Sequence, residues 1–428
     1  MIQAGRLPEA VDVVIVGGGM VGLSLAAILA ACDQTLSVAL IEVMPLGDLS
    51  ADTVPSAALP SSFDARSTAL SESTRQIYTQ VGLWQKLSPF ACPIRSIHVS
   101  DRGKPGATRM LAEDCAVEGL GYVIENRMLG RILLSAVTDM GNVSIHSPLQ
   151  VDKLQPLAAG MDIQAAGQTC TAQLVVAADG ANSALLQTMG IHTDIIDYGQ
   201  TALIANIGLD RNHQGIAYER FTDEGPVALL PLPDTEEEHR AALVWTLTPH
   251  CAEHLLSVSD ALFLEELHRR FGFRAGRFRR CGHRVSYPLR LLVAEEQVRR
   301  HLVVAGNAAH FLHPVAGQGF NLALRDMAKL SESVLDARRA GRGPGNLKTL
   351  EAYIESQSKD QRNTIGFSHS LPALFGNQSL ASTLTRNSGL IALDLIPPLR
   401  RGFASFGAGL LNPGMKLARY EAGKSPLK

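Results

Sequence analysis

The sequence predicts an α/β fold in which a Rossmann-like parallel sheet is joined to an α+β insert, built on a mixed β-sheet, and to a helical C-terminal segment. Three observations predict this fold. A β-branched run at residues 11–16 leads directly into a glycine-rich turn and a helical pattern. Buried-strand patterns at residues 174–178 and 302–305 each end in a polar or glycine-containing turn. Between these two strands, strand-like runs alternate with polar turns, which is typical of a mixed or antiparallel sheet.

The first glycine-rich turn has the spacing of a dinucleotide-binding motif. Gly17, Gly19 and Gly22 form a GxGxxG pattern, whose glycines serve the tight turn, the approach of a pyrophosphate and close helix–strand packing. A second strand at residues 36–41 ends in Glu42, where an acid can bond ribose hydroxyls. Together these elements predict an adenine dinucleotide site, but they do not separate FAD from NAD.

Two later turns lie at the carboxyl ends of predicted strands, where α/β sheets bind ligands. Asp179 follows the strand at residues 174–178, and Gly306 follows the strand at residues 302–305. A further glycine-rich segment at residues 313–321 leads into a long helix with one apolar stripe. We therefore expect the free N–H groups at the start of this helix to face a ligand.

Because these motifs are spread along the chain, the predicted cofactor domain is discontinuous. It comprises residues 1–75, 105–183 and 296–365. Residues 76–104 and 184–295 form the predicted substrate domain, which covers the reactive side of the cofactor. A binding pocket is expected between the two domains.

Residues 366–428 form a predicted helical region, with short helices at residues 371–375, 390–396 and 403–411. Basic residues outnumber acidic ones in the last segment. It contains one acidic residue, Glu421, and six basic ones, namely Arg400, Arg401, Lys416, Arg419, Lys424 and Lys428. Such an apolar and basic mixture suits an anionic bilayer surface or a protein partner. The alternative is a helical cap whose charges are solvated.

The composition excludes several function classes. The 428 residues carry 39 basic and 41 acidic side chains, so no overall field favours nucleic acid. The six cysteines contain no CxxC pair, which argues against a disulfide framework and against a zinc or iron–sulfur site. No secretory signal pattern is seen, so we expect a cytoplasmic protein. The uncharged stretch at residues 13–32 could cross a bilayer, but its successive glycines favour strand, turn and helix.

The order of these motifs resembles the flavoprotein aromatic hydroxylases related to p-hydroxybenzoate hydroxylase. That family carries a GxGxxG, a central DG and a later GD…P…GQGxN segment, in this order along the first three quarters of the chain. One departure is visible, since Asn307 stands where the family has aspartate. An amide oxygen can still accept a hydrogen bond from a ribityl hydroxyl.

The resemblance implies FAD as cofactor, NADPH or NADH as transient reductant, and O2 as co-substrate. Within the family, the segments at residues 63–70, 98–103, 218–221 and 321–326 are similar to ring hydroxylases of ubiquinone biosynthesis. The implied reaction is hydroxylation of a polyprenyl phenol through a flavin C4a-hydroperoxide. A peripheral position on the inner face of the bacterial inner membrane, or membership of a biosynthetic complex, is expected. Alternatives are another ring hydroxylase of the pathway, an FAD-dependent prenyl-lipid reductase, and a non-catalytic flavin-binding subunit.

The motifs and the resemblance together nominate the site residues. The predicted cofactor-binding residues are Gly17, Gly19, Gly22, Glu42, Arg66, Arg127, Asp179, Gly306, Asn307, Pro314, Gly317, Gln318, Gly319 and Asn321. His313 and Tyr218 are candidate general bases for the phenol proton, with His310 as a weaker one. For His313, a hydrogen-bonded histidine that holds its loop is an equal alternative. A metal site at His310 and His313 lacks a third ligand nearby, so none is predicted.

Overall fold

The computed structural model describes residues 2–3, 6–46, 66–236, 238–313, 317–376 and 380–411. The helices are α1 (Met20–Cys32), α2 (Glu72–Gln80), α3 (Trp84–Leu87), α4 (Asn126–Thr138), α5 (Ala184–Thr188), α6 (Pro249–Ser257), α7 (Asp260–Phe271), α8 (Gln318–Arg339), α9 (Leu347–Gly376), α10 (Leu380–Leu395) and α11 (Pro397–Gly407). The strands are β1 (Ile2–Gln3), β2 (Ala10–Val16), β3 (Val38–Ile41), β4 (Ser67–Ser71), β5 (Cys92–Ile94), β6 (Ser96–Asp101), β7 (Ala107–Leu111), β8 (Gly121–Glu125), β9 (Val143–His146), β10 (Lys153–Leu157), β11 (Gly160–Ala165), β12 (Gln168–Ala177), β13 (Thr193–Leu209), β14 (Ile216–Thr222), β15 (Gly225–Pro231), β16 (His239–Leu247), β17 (Phe278–Cys281), β18 (Val285–Ala294), β19 (Val298–Arg299), β20 (Leu302–Val304) and β21 (His310–Phe311).

The first sheet brings the predicted ligand-binding turns together. Its strands follow the order β1-β9-β3-β2-β12-β11-β10, and the end of β12 also pairs with β20. Strands β9, β3, β2, β12 and β20 pair in parallel. Their carboxyl ends therefore meet at one edge of the sheet. Helices α1, α4 and α8 cover one face, with Leu25, Leu133 and Met327 fully buried in the shared core.

The second sheet is mainly antiparallel, in the order β21-β18-β13-β16-β15-β14-β6-β7, with β17 also paired to β13. Only β14 and β6 pair in parallel among the described strands of this sheet. One face packs against α6 and α7, where Trp245 and Phe263 are fully buried. A third sheet consists of β4, β8 and β5, which pair in antiparallel fashion.

The domain division stays a prediction, but one of its boundaries cuts through a pairing. Strands β6 and β7 form an antiparallel hairpin, and the boundary between residues 104 and 105 falls in its turn. The two strands therefore belong to the same sheet. The composition of the sequence does not change across such a hairpin, so composition cannot show that its two strands belong together.

The uncharged stretch at residues 13–32 consists of the end of β2, a turn and α1, which has 13 residues. None of the helices in the described ranges is both long enough and apolar enough to span a membrane.

The described part of the predicted C-terminal region, which ends at residue 411, is mainly helical, and its helices are longer than predicted. Lys416, Arg419, Glu421, Lys424 and Lys428 lie outside the described residues. Residues 371–375 lie in the last turns of the 30-residue helix α9 and not in a separate short helix. Helix α9 packs along α8 through buried residues such as Leu350 and Tyr353. Tertiary packing of this kind extends a helix beyond the length that local sequence predicts.

Candidate active site

The turn between β2 and α1 is built so that only glycine fits at two positions. Gly17 has φ +114°, and a Cβ there would lie 2.3 Å from the carbonyl oxygen of Ala178. A Cβ on Gly22 would lie 1.9 Å from the carbonyl oxygen of Gly17. Gly19 is the N-cap of α1 and offers no capping side chain, so the first N–H groups of the helix stay available to a ligand.

Glu42 stabilises this turn from the end of β3. One carboxylate oxygen accepts a hydrogen bond from the backbone N–H of Gly18 at 2.5 Å, and the other accepts one from Met44 at 2.8 Å. The residue also lines a large cavity. The acid is therefore both part of the turn and within reach of a bound ribose.

Asp179 has a buried acceptor atom that no described residue satisfies. It follows β12 and lines the same cavity. Its Oδ2 accepts a long hydrogen bond from Leu185 at 3.5 Å, whereas its buried Oδ1 has no hydrogen-bond partner among the described residues. Burial raises the pKa of this carboxyl. An unsatisfied buried acceptor costs about 1–3 kcal/mol, which a ligand hydroxyl would recover.

The N-terminus of α8 forms the third part of the cradle. Gly317 has φ +58° and precedes the helix as its N-cap. Gly317, Gln318, Gly319 and Asn321 all line the cavity. The side chain of Gln318 donates to the carbonyl oxygen of Gly407 at 3.2 Å, which connects α8 to α11. The positive end of the helix dipole at this first turn suits the negative edge of a bound ring system.

The side chain of Asn321 is occupied by the protein. Its Nδ2 donates to the carbonyl oxygens of Ala69 at 2.8 Å and Gly317 at 2.7 Å. Its Oδ1 accepts from the backbone N–H of Ser71 at 2.7 Å and from the Thr74 hydroxyl at 2.8 Å. Asn321 therefore positions the cradle by joining α8 to β4, and its side chain has little capacity left for a cofactor.

The two arginines implied by the resemblance lie in different places. Arg66 lines the cavity, and its guanidinium lies 4.5 Å from the centre of the Tyr287 ring. Arg127 is not among the cavity-lining residues of the described chain. Its neighbour Asn126 is, and this side chain accepts a hydrogen bond from Thr68 at 2.6 Å.

The segment after β20 contributes one lining side chain. Asn307 is exposed and lines the cavity. Gly306 lies behind it with φ +60°, and a Cβ there would meet the Val21 side chain at 3.0 Å. Pro314 lies outside the described residues.

From this cradle the cavity, of about 950 Å³, continues along the face of the second sheet that α6 and α7 leave uncovered. Strand pairing aligns the side chains of Val99, Glu219, Ala228 and Val244 in one row across β6, β14, β15 and β16. Apolar side chains dominate this wall, namely Ile97, Val99, Met110, Ala217, Phe221, Ala228, Leu230, Ala242 and Val244. The opposite wall is formed by α10 and α11, which contribute Leu390, Leu393, Leu399 and Phe403.

Neither predicted general base is well placed for catalysis. His313 is buried and is not among the described cavity-lining residues, and burial lowers its pKa to about 4. Its ring packs edge-on against Tyr198, with centroids 5.2 Å apart. Tyr218 borders the cavity, but its ring packs against Phe271 of α7, and burial raises its pKa. His310 is also buried and binds Asp326 at 2.8 Å.

Glu219 is a residue of the cavity wall that the sequence did not predict. Residues 217, 219 and 221 of β14 share one face because side chains alternate along a strand. Glu219 therefore stands between Ala217 and Phe221 on the cavity wall. Burial raises its pKa to about 7. An acid at an otherwise apolar, inward-facing strand position is the signal that could have revealed it.

Solved structures of a monooxygenase and of a hydroxylase have the same fold. p-Nitrophenol 4-monooxygenase PnpA from Pseudomonas putida superposes with a TM-score of 0.74 over 94% of this chain and 99% of that chain, at 17% identity. OxyS anhydrotetracycline hydroxylase from Streptomyces rimosus superposes with a TM-score of 0.68 over 98% of this chain and 78% of that chain, at 19% identity. At such identities the likeness establishes the fold, and it confirms the predicted fold class.

Fold, cradle and sequence relatives together define an FAD-dependent monooxygenase. Residues 10–357 match the family model described as FAD binding domain, and the chain belongs to that family. It is 34% identical over 420 residues to ubiquinone hydroxylase UbiL of Rhodospirillum rubrum, covering 98% of this chain and 94% of the relative. It is 29% identical to 3-demethoxyubiquinol 3-hydroxylase of Escherichia coli, covering 93% of this chain and 98% of that relative. The resemblance found in the sequence and the FAD prediction are thereby confirmed.

Proposed function

We propose that this protein hydroxylates the ring of a polyprenyl phenol similar to 2-octaprenyl-6-methoxyphenol in ubiquinone biosynthesis, consuming O2 and NADH or NADPH. The observation that carries the proposal is the apolar cavity of about 950 Å³ that is continuous with the glycine cradle. A cavity of this kind can receive a phenol ring with part of its prenyl chain. The names of the relatives, which include two ubiquinone-pathway hydroxylases, support the same substrate class.

The residues of the cradle fit FAD. The glycine turn and the N-terminus of α1 would hold the pyrophosphate, and Glu42 would bond the ribose. Asp179, with its unsatisfied Oδ1, would accept a hydrogen bond from a ribityl hydroxyl. When bound, FAD supplies the activation of oxygen and its transfer to the ring. The amino end of α8, preceded by Gly317, would stabilise negative charge at the ring system.

The apolar walls have two roles in this proposal. They bind the ring and chain by burying apolar surface, which contributes about 25 cal/mol for each Å² removed from water. They also keep water away from the reacting atoms, which protects the oxygen transfer from unproductive loss of hydrogen peroxide. Phe221 and Leu393 are examples from the two facing walls.

The direct test is turnover of 2-octaprenyl-6-methoxyphenol by the purified FAD-loaded protein in the presence of 18O2. We expect O2 uptake coupled to oxidation of NADH or NADPH, and one 18O atom in the ring product. A reduced prenyl chain without O2 uptake would instead support the prenyl-lipid reductase. Bound flavin without substrate-stimulated turnover would support the non-catalytic subunit, and fragmentation of the product would identify the ring position.

We also propose that the turn between α10 and α11 approaches an anionic membrane surface, from which the lipid substrate enters. Leu395 and Ile396 are 72% and 48% exposed. Leu399 is 50% exposed and also lines the cavity, so the apolar patch adjoins the interior. Arg401 is exposed beside it, whereas Arg400 pairs with Asp114 at 3.1 Å.

Sedimentation with vesicles of anionic phospholipid tests this membrane contact. We expect the wild type to bind and the Leu395→Asp, Ile396→Asp double variant to lose most of its binding. Leu262→Asp is the matched control, because Leu262 is 56% exposed on α7, against the other face of the second sheet. Equal binding by wild type and double variant would contradict the proposal.

A further inference from the structure

Glu219 is the acidic residue on the sheet wall of the cavity. Strand pairing places its Cα opposite Val99 of β6 and Ala228 of β15. Ala217 and Phe221 precede and follow it on the same face of β14. A carboxyl group in such apolar surroundings is unfavourable for folding, because the charged form loses its hydration. Packing alone therefore does not explain why a glutamate occupies this position.

The carboxyl group of Glu219 has no hydrogen bond or ion pair within the described part of the chain. Among the described residues, the other charged side chains that line the cavity are Glu42, Arg66, Asp179 and Arg386. The first three belong to the cofactor cradle, and Arg386 pairs with Asp101 at 2.8 Å. None of these neighbouring charges contributes to the raised pKa of Glu219, whose cause is burial alone.

A second polar atom on the same wall also lacks a partner. The hydroxyl of Thr108 is buried and makes no hydrogen bond to any described residue. Thr108 pairs with Val99, so it lies in the same row as Glu219, two strands away, at about 10 Å between Cα atoms. A half-buried carboxyl group that binds no described residue and a buried unsatisfied hydroxyl share this apolar wall, which indicates a mostly apolar ligand with hydrogen-bonding oxygen atoms.

We propose that Glu219 binds the ring hydroxyl of the phenol substrate and accepts its proton before oxygen transfer, an assignment that rests on the proposed function. The phenol O–H bond breaks, its electron pair stays on the phenol oxygen, and the proton forms an O–H bond with the Glu219 carboxylate. The resulting phenolate is a stronger nucleophile at its ring carbons than the phenol. The hydroxylated ring carbon then releases its hydrogen as a proton to solvent, and the C–H electron pair restores the aromatic ring and the negative oxygen. Glu219 returns its proton to that oxygen.

The acid–base properties of the residue suit this step. A pKa of about 7 makes Glu219 a stronger proton acceptor than an exposed glutamate and still leaves it ionised at slightly basic pH. Its carboxylate would be the proton acceptor on the wall where the ring lies. His313 has a pKa of about 4 and Tyr218 directs its ring to the opposite face, so neither competes for this role.

The first experiment measures ionisation of the bound phenol without turnover. The probe is 2-prenyl-6-methoxyphenol, added to the oxidised FAD-loaded enzyme without reductant, and the phenolate is followed by its ultraviolet absorbance from pH 6 to 9. We expect the wild type to ionise the bound probe at lower pH than it ionises in water. Glu219→Gln, which keeps the size of the side chain, should abolish that shift, and Glu219→Asp should restore part of it.

The second experiment measures turnover of the same probe. We expect Glu219→Gln to lower kcat at least about 100-fold and to remove the rise of kcat with pH near 7. Glu253→Gln is the matched control, because Glu253 is exposed on α6. Unchanged flavin absorbance in each variant verifies that the cradle is intact.

The outcomes separate this assignment from the proposed function. Wild-type kcat and wild-type phenolate formation in Glu219→Gln overturn the role of Glu219 and leave the hydroxylase intact. A wild type that binds and ionises the phenol in a Glu219-dependent way, yet never hydroxylates it, supports the role of Glu219 and overturns the proposed function. A wild type that does not bind the phenol overturns both.

Discussion

The side-chain oxygen of Asn321 accepts a hydrogen bond from the backbone N–H of Ser71 at 2.7 Å, across 250 residues of sequence. Through this contact and two others, the first turn of α8 is held against β4 and α2. A fourth hydrogen bond, to the carbonyl oxygen of Gly317, fixes the residue that precedes the helix. The glycines that precede Asn321 are thereby kept at the cavity. The cradle for the flavin is a tertiary arrangement that depends on this amide.

Asn321→Ala should destabilise the protein and weaken its grip on FAD. The substitution removes four hydrogen bonds and leaves the buried N–H of Ser71 without its acceptor, a loss of about 3 kcal/mol in the free energy of unfolding. Chemical denaturation and FAD release on dilution measure the two effects. Asn363→Ala, at an exposed position of α9, should change stability by less than about 0.5 kcal/mol. Equal stability of the two variants would contradict the role given to Asn321.

Gly17→Ala should prevent FAD binding. Its Cβ would lie 2.3 Å from a backbone oxygen of Ala178, at a φ of +114° that side chains rarely adopt. Gly103→Ala is a matched control with positive φ, +70°, and no atom within 4 Å of the added Cβ. It carries backbone strain of about 1 kcal/mol without the clash. The ratio of flavin to protein absorbance after purification should fall only in Gly17→Ala.

Asp179→Asn should weaken FAD binding about tenfold, which corresponds to about 1.4 kcal/mol. The amide keeps the shape of the side chain but replaces one acceptor oxygen with a donor. Because burial raises the pKa of Asp179, wild-type affinity should fall as pH drops through that raised pKa. The affinity of Asp179→Asn should not show this dependence. Titration of FAD fluorescence against pH compares the two proteins, and parallel curves would contradict the assignment.

Glu219 should make the FAD-free protein less stable as pH rises. The unfolded residue ionises near its ordinary pKa of 4.5, whereas the folded one stays protonated up to about 7. Stability contributed by the neutral form is therefore present below pH 4.5 and is lost between about 4.5 and 7, by at most about 3 kcal/mol. Urea unfolding at pH 5 and pH 8 should show that loss in the wild type and not in Glu219→Gln. If the free energies of unfolding of wild type and Glu219→Gln differed by the same amount at both pH values, this prediction would be wrong.

His313→Gln should leave the pH dependence of kcat near pH 7 unchanged. With a pKa of about 4, His313 is neutral throughout that range and does not titrate there. Its lowered pKa also means that the stability it contributes is lost as pH falls from about 6.5 towards 4. His254→Gln, exposed on α6, is the control for the substitution itself. If His313→Gln lost the rise of kcat with pH, His313 would be the base.

Much of the cofactor cradle could be predicted from the sequence because its requirements are local. The need for glycine at Gly17 and Gly22 arises from a turn between one strand and the next helix. Likewise, a glycine-rich segment before a long helix places free N–H groups at its start, wherever that helix packs. Short-range backbone geometry is encoded in a few consecutive residues.

The substrate side depended on contacts between distant segments. Glu219 faces the cavity because β14 pairs with β6 and β15 in one register, and a shift of one residue would turn it to the opposite face. In the same way, burial behind the cavity makes His313 a weak base, although its position beside the glycine segment had favoured it. The sequence alone determined the flavin-binding backbone and the class of fold. Only the tertiary structure decided which side chains meet the substrate, because the facing of a strand and the burial of a side chain are set by long-range packing.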